Sequence, residues 1–137
     1  MSDASRPGSI VSAFYEAVRV QDPDAIRTLV RERFADDVAF HWPSSLPYGG
    51  TMAGKAKLER VLAGAATARA GVQGLRLVDL VDGGEQIAAV VEFDWHSPGG
   101  QVVVGTGAVE VWSFSEDRVQ DVSAYYWDTA ACVAASS

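Results

Sequence analysis

A chain of 137 residues, 48% hydrophobic and 21% charged, has the size and composition of one folded domain with its own core. Its formal net charge of −7 argues against nucleic acid or an anionic membrane as a partner, because both call for a basic surface. The opening stretch Met-Ser-Asp-Ala-Ser-Arg-Pro-Gly lacks an apolar leader core, no later run is apolar enough to span a bilayer, and Cys132 has no partner cysteine, so a reducing cytoplasm is the expected location.

Ile10, Phe14, Ala17 and Val18 recur at helical spacing and predict a first helix that stops before Gln21-Asp22-Pro23. Asp22 as N-cap and Pro23 at the first helical position predict a second helix, with Ile26, Leu29, Val30 and Phe34 on one stripe. Residues 37–42 alternate as a short strand closed by Pro43, and a loop rich in Ser, Pro and Gly follows as far as residue 54. The spacing of Leu58, Val61, Leu62 and Ala65 predicts a third helix over residues 55–70, ended by Gly71.

From there the pattern is strand and turn. Residues 75–81, 86–96, 101–114 and 119–128 read as an antiparallel meander, with a hairpin turn at Ser97-Pro98-Gly99-Gly100 and room for a bulge at Gly105 and Gly107. Residues 1–8 and 130–137 read as poorly ordered tails of one domain spanning 1–137. Helices segregated to one side of a sheet give an α+β fold. Here the sheet, mixed or antiparallel, is expected to curve into a cone whose mouth the three N-terminal helices close over a pocket.

Two acids stand out in the last third. Glu110 shares a strand face with Trp112 and Phe114, and Asp128 shares one with Tyr126. A carboxylate on an apolar face is costly unless it is paired, protonated or useful. Glu110 is therefore either a cavity acid or a strand position that reaches solvent past Gly107. Asp128 reads as a general acid or base in the cavity, as the N-cap of a short helix begun by Thr129, or as both at once. Tyr126, Trp42, Trp112 and Tyr48 are candidate walls for a flat apolar ligand.

Glu92, Asp94 and His96 share the face opposite Val91, Phe93 and Trp95. Successive residues on one strand face seldom converge on one ion, so this row reads as an outer face and no metal is assigned. His41, alternating with Phe40 and Trp42, is expected to point outward too.

Four stretches carry a family resemblance: Phe14-Tyr15 before Asp22-Pro-Asp-Ala-Ile26, Phe34-Ala-Asp-Asp-Val38, Leu46-Pro-Tyr-Gly-Gly-Thr-Met-Ala-Gly54, and Tyr125-Tyr-Trp-Asp-Thr-Ala-Ala131. Together they resemble the nuclear-transport-factor-2-like superfamily, in its SnoaL-like, ketosteroid-isomerase-related branch. The resemblance implies matching site positions. The first-helix oxyanion tyrosine of ketosteroid isomerases matches Phe14, with Tyr15 beside it, and their general base matches Trp42. Their protonated acid matches Glu110. With two of those positions changed, the resemblance does not extend to ketosteroid isomerisation. Limonene epoxide hydrolases place acids where Asp94 and Asp128 stand, but their arginine position holds Glu92. SnoaL-like cyclases use an acid on or near the last strand, which matches Asp128.

The expected function is a small apolar-molecule pocket for cofactor-free proton transfer on a carbonyl compound, in which Asp128 moves the proton and Glu110 stabilises the developing oxyanion. Phe14, Tyr15, Trp42, Tyr48, Trp112 and Tyr126 would contact the ligand. A non-catalytic ligand-binding protein of the same fold is the alternative. Apolar residues on both faces of the last two strands point to a homodimer.

Overall fold

Pro7 opens helix α1 (Pro7–Arg19) at a position where its missing N–H has no intrahelical acceptor to lose. Ile10, Val11, Phe14, Tyr15 and Ala17 form the buried stripe of this helix. Helix α2 (Pro23–Arg33) starts as read from the sequence, with the Asp22 side chain accepting from the Ala25 N–H at 3.1 Å. Its stripe ends at Val30, because Phe34 already belongs to strand β1 (Phe34–Trp42). The computed structural model describes residues 6–136.

The stretch read as loop contains a strand, β2 (Gly50–Ala53), paired antiparallel with β1. Helix α3 (Lys55–Ala65) is shorter than its spacing predicts. The chain is drawn out at Gly71 to begin β3 (Gly71–Asp82), whose pairing with β4 (Gln86–His96) starts at once. Strands β5 (Val102–Ser115) and β6 (Arg118–Tyr126) complete the meander, and helix α4 (Thr129–Ala135) follows. The expected C-terminal tail is thus helical over most of its length. Asp128 caps it, and Cys132 is fully buried against the core. At the other end Pro7 and Gly8 lie inside α1, while residues 1–5, like 137, fall outside the described residues.

The six strands form one sheet in the order β2-β1-β6-β5-β4-β3. All neighbours are antiparallel except β1 and β6, so the sheet is mixed. It is curved and does not close into a barrel. Register shifts interrupt the β1–β6, β3–β4, β4–β5 and β5–β6 pairings. Each leaves one strand with extra chain and bends it, which is how a sheet acquires a concave face. The bulge expected in β5 is present: the shift falls between Phe93↔Thr106 and Trp95↔Val103, and Gly105 sits at φ +67°. Gly107 serves a different need, since a Cβ there would fall 2.4 Å from the Val91 carbonyl oxygen.

Helix α1 packs across β3 and β4, α3 lies over β1 and β2, and α2 joins the two helices. Val91, Phe93 and Trp95 point inward, as their alternation with polar residues requires. No helix among the described residues is long and apolar enough to cross a membrane.

Candidate functional site

Between the concave face of the sheet and helices α1 and α3 lies a cavity of about 270 Å³. Phe14, Phe40, Trp42, Met52 and Tyr126 supply much of its wall, Tyr48 reaches it from the loop before β2, and Glu110 brings a carboxyl to it. Val61 and Ala65 of α3, expected in the core, line this space instead and keep some exposure. The fully packed side of that helix is Leu58, Leu62 and Ala63.

Glu110 stands in β5 between two alanines, Ala89 on β4 and Ala124 on β6. Small neighbours on both sides leave a recess for a longer side chain on the same face. Two residues further on, Trp112 is fully buried beneath α1, with Phe14 and Tyr15 edge-on to it at ring distances of 5.1 and 5.8 Å. The Trp112 indole N–H donates to the Tyr15 oxygen at 2.9 Å, and the Tyr15 hydroxyl donates to Glu110 Oε1 at 2.5 Å. This chain fixes one carboxyl oxygen and leaves the other without a partner among the described residues. Burial raises the pKa of Glu110 from its ordinary range, and the hydrogen bond from Tyr15 pulls it back in part. Burial, then the Glu110 charge, raises that of Tyr15, so its hydroxyl keeps its proton.

A second polar chain borders the same cavity. The Trp95 indole N–H donates to the Tyr48 oxygen at 2.9 Å, and the Tyr48 and Tyr126 hydroxyls are hydrogen-bonded to each other. Burial raises the pKa of both phenols. The Phe93 ring stands against Tyr126 at 5.5 Å, and Trp42 meets Tyr48 edge-on at 6.2 Å.

Glu110, Tyr126, Trp42, Tyr48 and Phe14 therefore come together at one cavity. Tyr15 and Trp112 do not border it; they stand behind Glu110 and hold it. The resemblance put the first-helix position at Phe14, but Tyr15 is the residue that reaches the acid. Only its place one residue further round the helix hinted at this, since both faces of that turn are apolar.

Asp128 is placed elsewhere. Strand β6 ends at Tyr126, the chain turns before residue 128, and strand alternation no longer governs where that side chain points. Asp128 is exposed, accepts from the Ala131 N–H at 2.9 Å as the N-cap of α4, and does not line the cavity. The expected pair of cavity acids is thus a single acid. Asp128→Ala is expected to cost about 1 kcal/mol in thermal or urea unfolding, as for other caps, with ligand affinity unchanged.

The outer row is engaged on the surface. Glu92 pairs with Arg76, and Asp94 accepts from the Gly105 N–H at 2.8 Å. His41 also faces outward, its Nδ1 2.8 Å from Thr51 Oγ1 and its Nε2 2.7 Å from Asp121 Oδ1.

A family model described as a SnoaL-like domain matches residues 11–122. The chain belongs to this family. Solved structures agree on the fold, with this SnoaL-like protein and its relatives aligning over nearly their full lengths. An NTF2-like protein from Burkholderia xenovorans LB400 is 22% identical over 100% of this chain and 99% of its own, at a TM-score of 0.75. Bal32a, from a soil-derived mobile gene cassette, is 18% identical over 90% and 91%, at 0.74. TerC, co-crystallised with polyporic acid, is 20% identical over 88% and 91%, at 0.64. A comparison with curated proteins found no match.

Proposed function

We propose that this protein binds a small, flat, largely apolar carbonyl compound in the cavity and moves a proton on it without a cofactor, with Glu110 as the acid–base group. The observation that carries this reading is the single carboxyl, among the described residues, on an apolar cavity wall, one oxygen fixed by Tyr15 and the other free. In its ionised form Glu110 takes a proton from the carbon beside the carbonyl, and the electron pair of that C–H bond moves onto the carbonyl oxygen as an enolate. The neutral acid then returns the proton to the same carbon or to a conjugated one, so nothing is consumed. A carboxyl whose proton affinity is raised by burial is better matched to this task than one in water. Glu110 thereby takes the proton-moving role expected of Asp128, which does not line the cavity. The complex of TerC with polyporic acid supports a small-molecule ligand for the fold.

The test is deuterium exchange into the methyl group of 2-acetylnaphthalene in D₂O, followed by NMR. Protein-dependent exchange above the buffer rate is expected. Saturable binding of the ketone without exchange would instead support the second reading, a ligand-binding protein, which the presence of only one acid at the cavity favours.

The same reading includes a homodimer. On the outer face, Trp127, Val104 and Tyr125 are 88%, 77% and 64% exposed, beside an open trough flanked by Val90 and Val109. Apolar surface gathered in this way is more often a contact than a free face. Light scattering at micromolar concentration should return the mass of two chains, and Trp127→Glu should return one. A monomeric wild type would refute the dimer.

A further inference from the structure

The polar chain at the tyrosines holds more donors than hydrogen bonds. Trp95, Tyr48 and Tyr126 each carry one N–H or O–H, yet only two hydrogen bonds join them. The Trp95 N–H is committed to Tyr48. Of the two hydroxyl protons one lies between the tyrosines, and the other has no acceptor among the described residues, whichever tyrosine carries it. Burial keeps both phenols protonated, so the surplus is permanent. Tyr48 is 36% exposed, so water takes that proton when the cavity is empty, and a ligand acceptor at the same place takes over the hydrogen bond.

Position says what that ligand group is. Tyr126 pairs with Ala108 and Glu110 with Ala124, which makes Tyr126 and Glu110 diagonal neighbours on one face, about 7–8 Å apart along the sheet. Both tyrosines border the cavity, and both feel the charge of Glu110. A carbonyl group and the C–H beside it span such a gap, with oxygen toward the hydroxyls and hydrogen toward the carboxyl. We propose that the Tyr48–Tyr126 hydroxyl pair is the subsite for the ligand's carbonyl oxygen and donates one hydrogen bond to it, so that the cavity selects ketones over hydrocarbons of the same shape. This rests on the cavity being a ligand site, as proposed above, and it adds the group that receives the developing enolate charge.

Tyr126→Phe leaves the Tyr48 proton free, and Tyr48→Phe leaves that of Tyr126. Each single variant keeps a donor, and only the double variant has none on a phenol. The experiment is equilibrium dialysis with 2-acetylnaphthalene and with 2-ethylnaphthalene, which shares its ring and size but has no acceptor. The ratio of the two affinities is expected to fall about tenfold from wild type to Y48F/Y126F, the worth of one neutral hydrogen bond, and to stay within about threefold in either single variant. Unchanged binding of 2-ethylnaphthalene by the double variant shows that it is folded. An unchanged ratio in that variant overturns the subsite and leaves the pocket standing. Failure of the wild type to bind either compound overturns the pocket, and the subsite with it. Should the double variant not fold, the infrared carbonyl stretch of the ketone bound to wild type decides. A frequency at or below that in water is expected, and the frequency found in hexane would overturn the proposal.

Discussion

Glu110→Gln is expected to abolish most proton transfer while leaving the protein folded. Its loss in the 2-acetylnaphthalene exchange assay should be about 10²- to 10⁴-fold, the usual contribution of a positioned acid or base. Stability should move the other way. Folding raises the proton affinity of Glu110 above its ordinary value of 4.5, because burial penalises the ionised form. The stabilisation linked to that proton is complete below pH 4.5 and is lost as pH rises through the folded-state value. Glutamine is neutral throughout, and its carbonyl oxygen can still accept from Tyr15. Urea midpoints of the two proteins should therefore diverge as pH rises past 4.5, with the variant the more stable at high pH. A pH-independent difference, or a variant that fails to fold at every pH, would mean that the carboxyl is structural.

Tyr15→Phe removes one oxygen and breaks two hydrogen bonds. The Trp112 indole N–H, fully buried, would lose its acceptor, and Glu110 Oε1 would lose its donor. Leaving a buried polar group unpaired costs about 1–3 kcal/mol, so Tm should fall by roughly 4–12 °C in a domain of this size. The sign of the electrostatic change is also set. Tyr15 is the group that draws the Glu110 pKa back down, so its removal should push that pKa further up. The exchange-against-pH profile should shift to higher pH along with it. A purely structural Tyr15 would lower Tm and leave the profile in place.

How far the sequence foretold this site depends on what governed each residue. Glu110 was readable because strand alternation extends unbroken from it to Trp112 and Phe114, and the structure keeps all three on one face. Tyr126 was readable by the same rule. Asp128 was not, since the rule lapses two residues earlier at the end of β6, and the competing N-cap signal decided its place. Tyr15 was obscured because Phe14 and Tyr15 are both buried, so helical spacing alone does not tell which one points at β5. The partnership of Tyr48 with Tyr126 spans 78 positions and depends on a loop whose path is set by β2. That four-residue strand is too short for its alternation to stand out in the sequence. Helix α3 ends five residues before the predicted position: its alanine-rich sequence favours helix, but residues 66–70 form turns and bends between Ala65 and the start of β3.

Everything proposed for the cavity depends on Glu110 being a carboxyl whose proton is held more tightly than in water and is available to a ligand. The most direct measurement is an NMR titration of the Glu110 carboxyl carbon in selectively ¹³C-labelled protein, in wild type and in Tyr15→Phe. A midpoint above 4.5 is expected in the wild type and a higher one in the variant. A midpoint at or below 4.5, insensitive to Tyr15, would contradict that proposal, and Glu110 would then be an ordinary ionised surface acid.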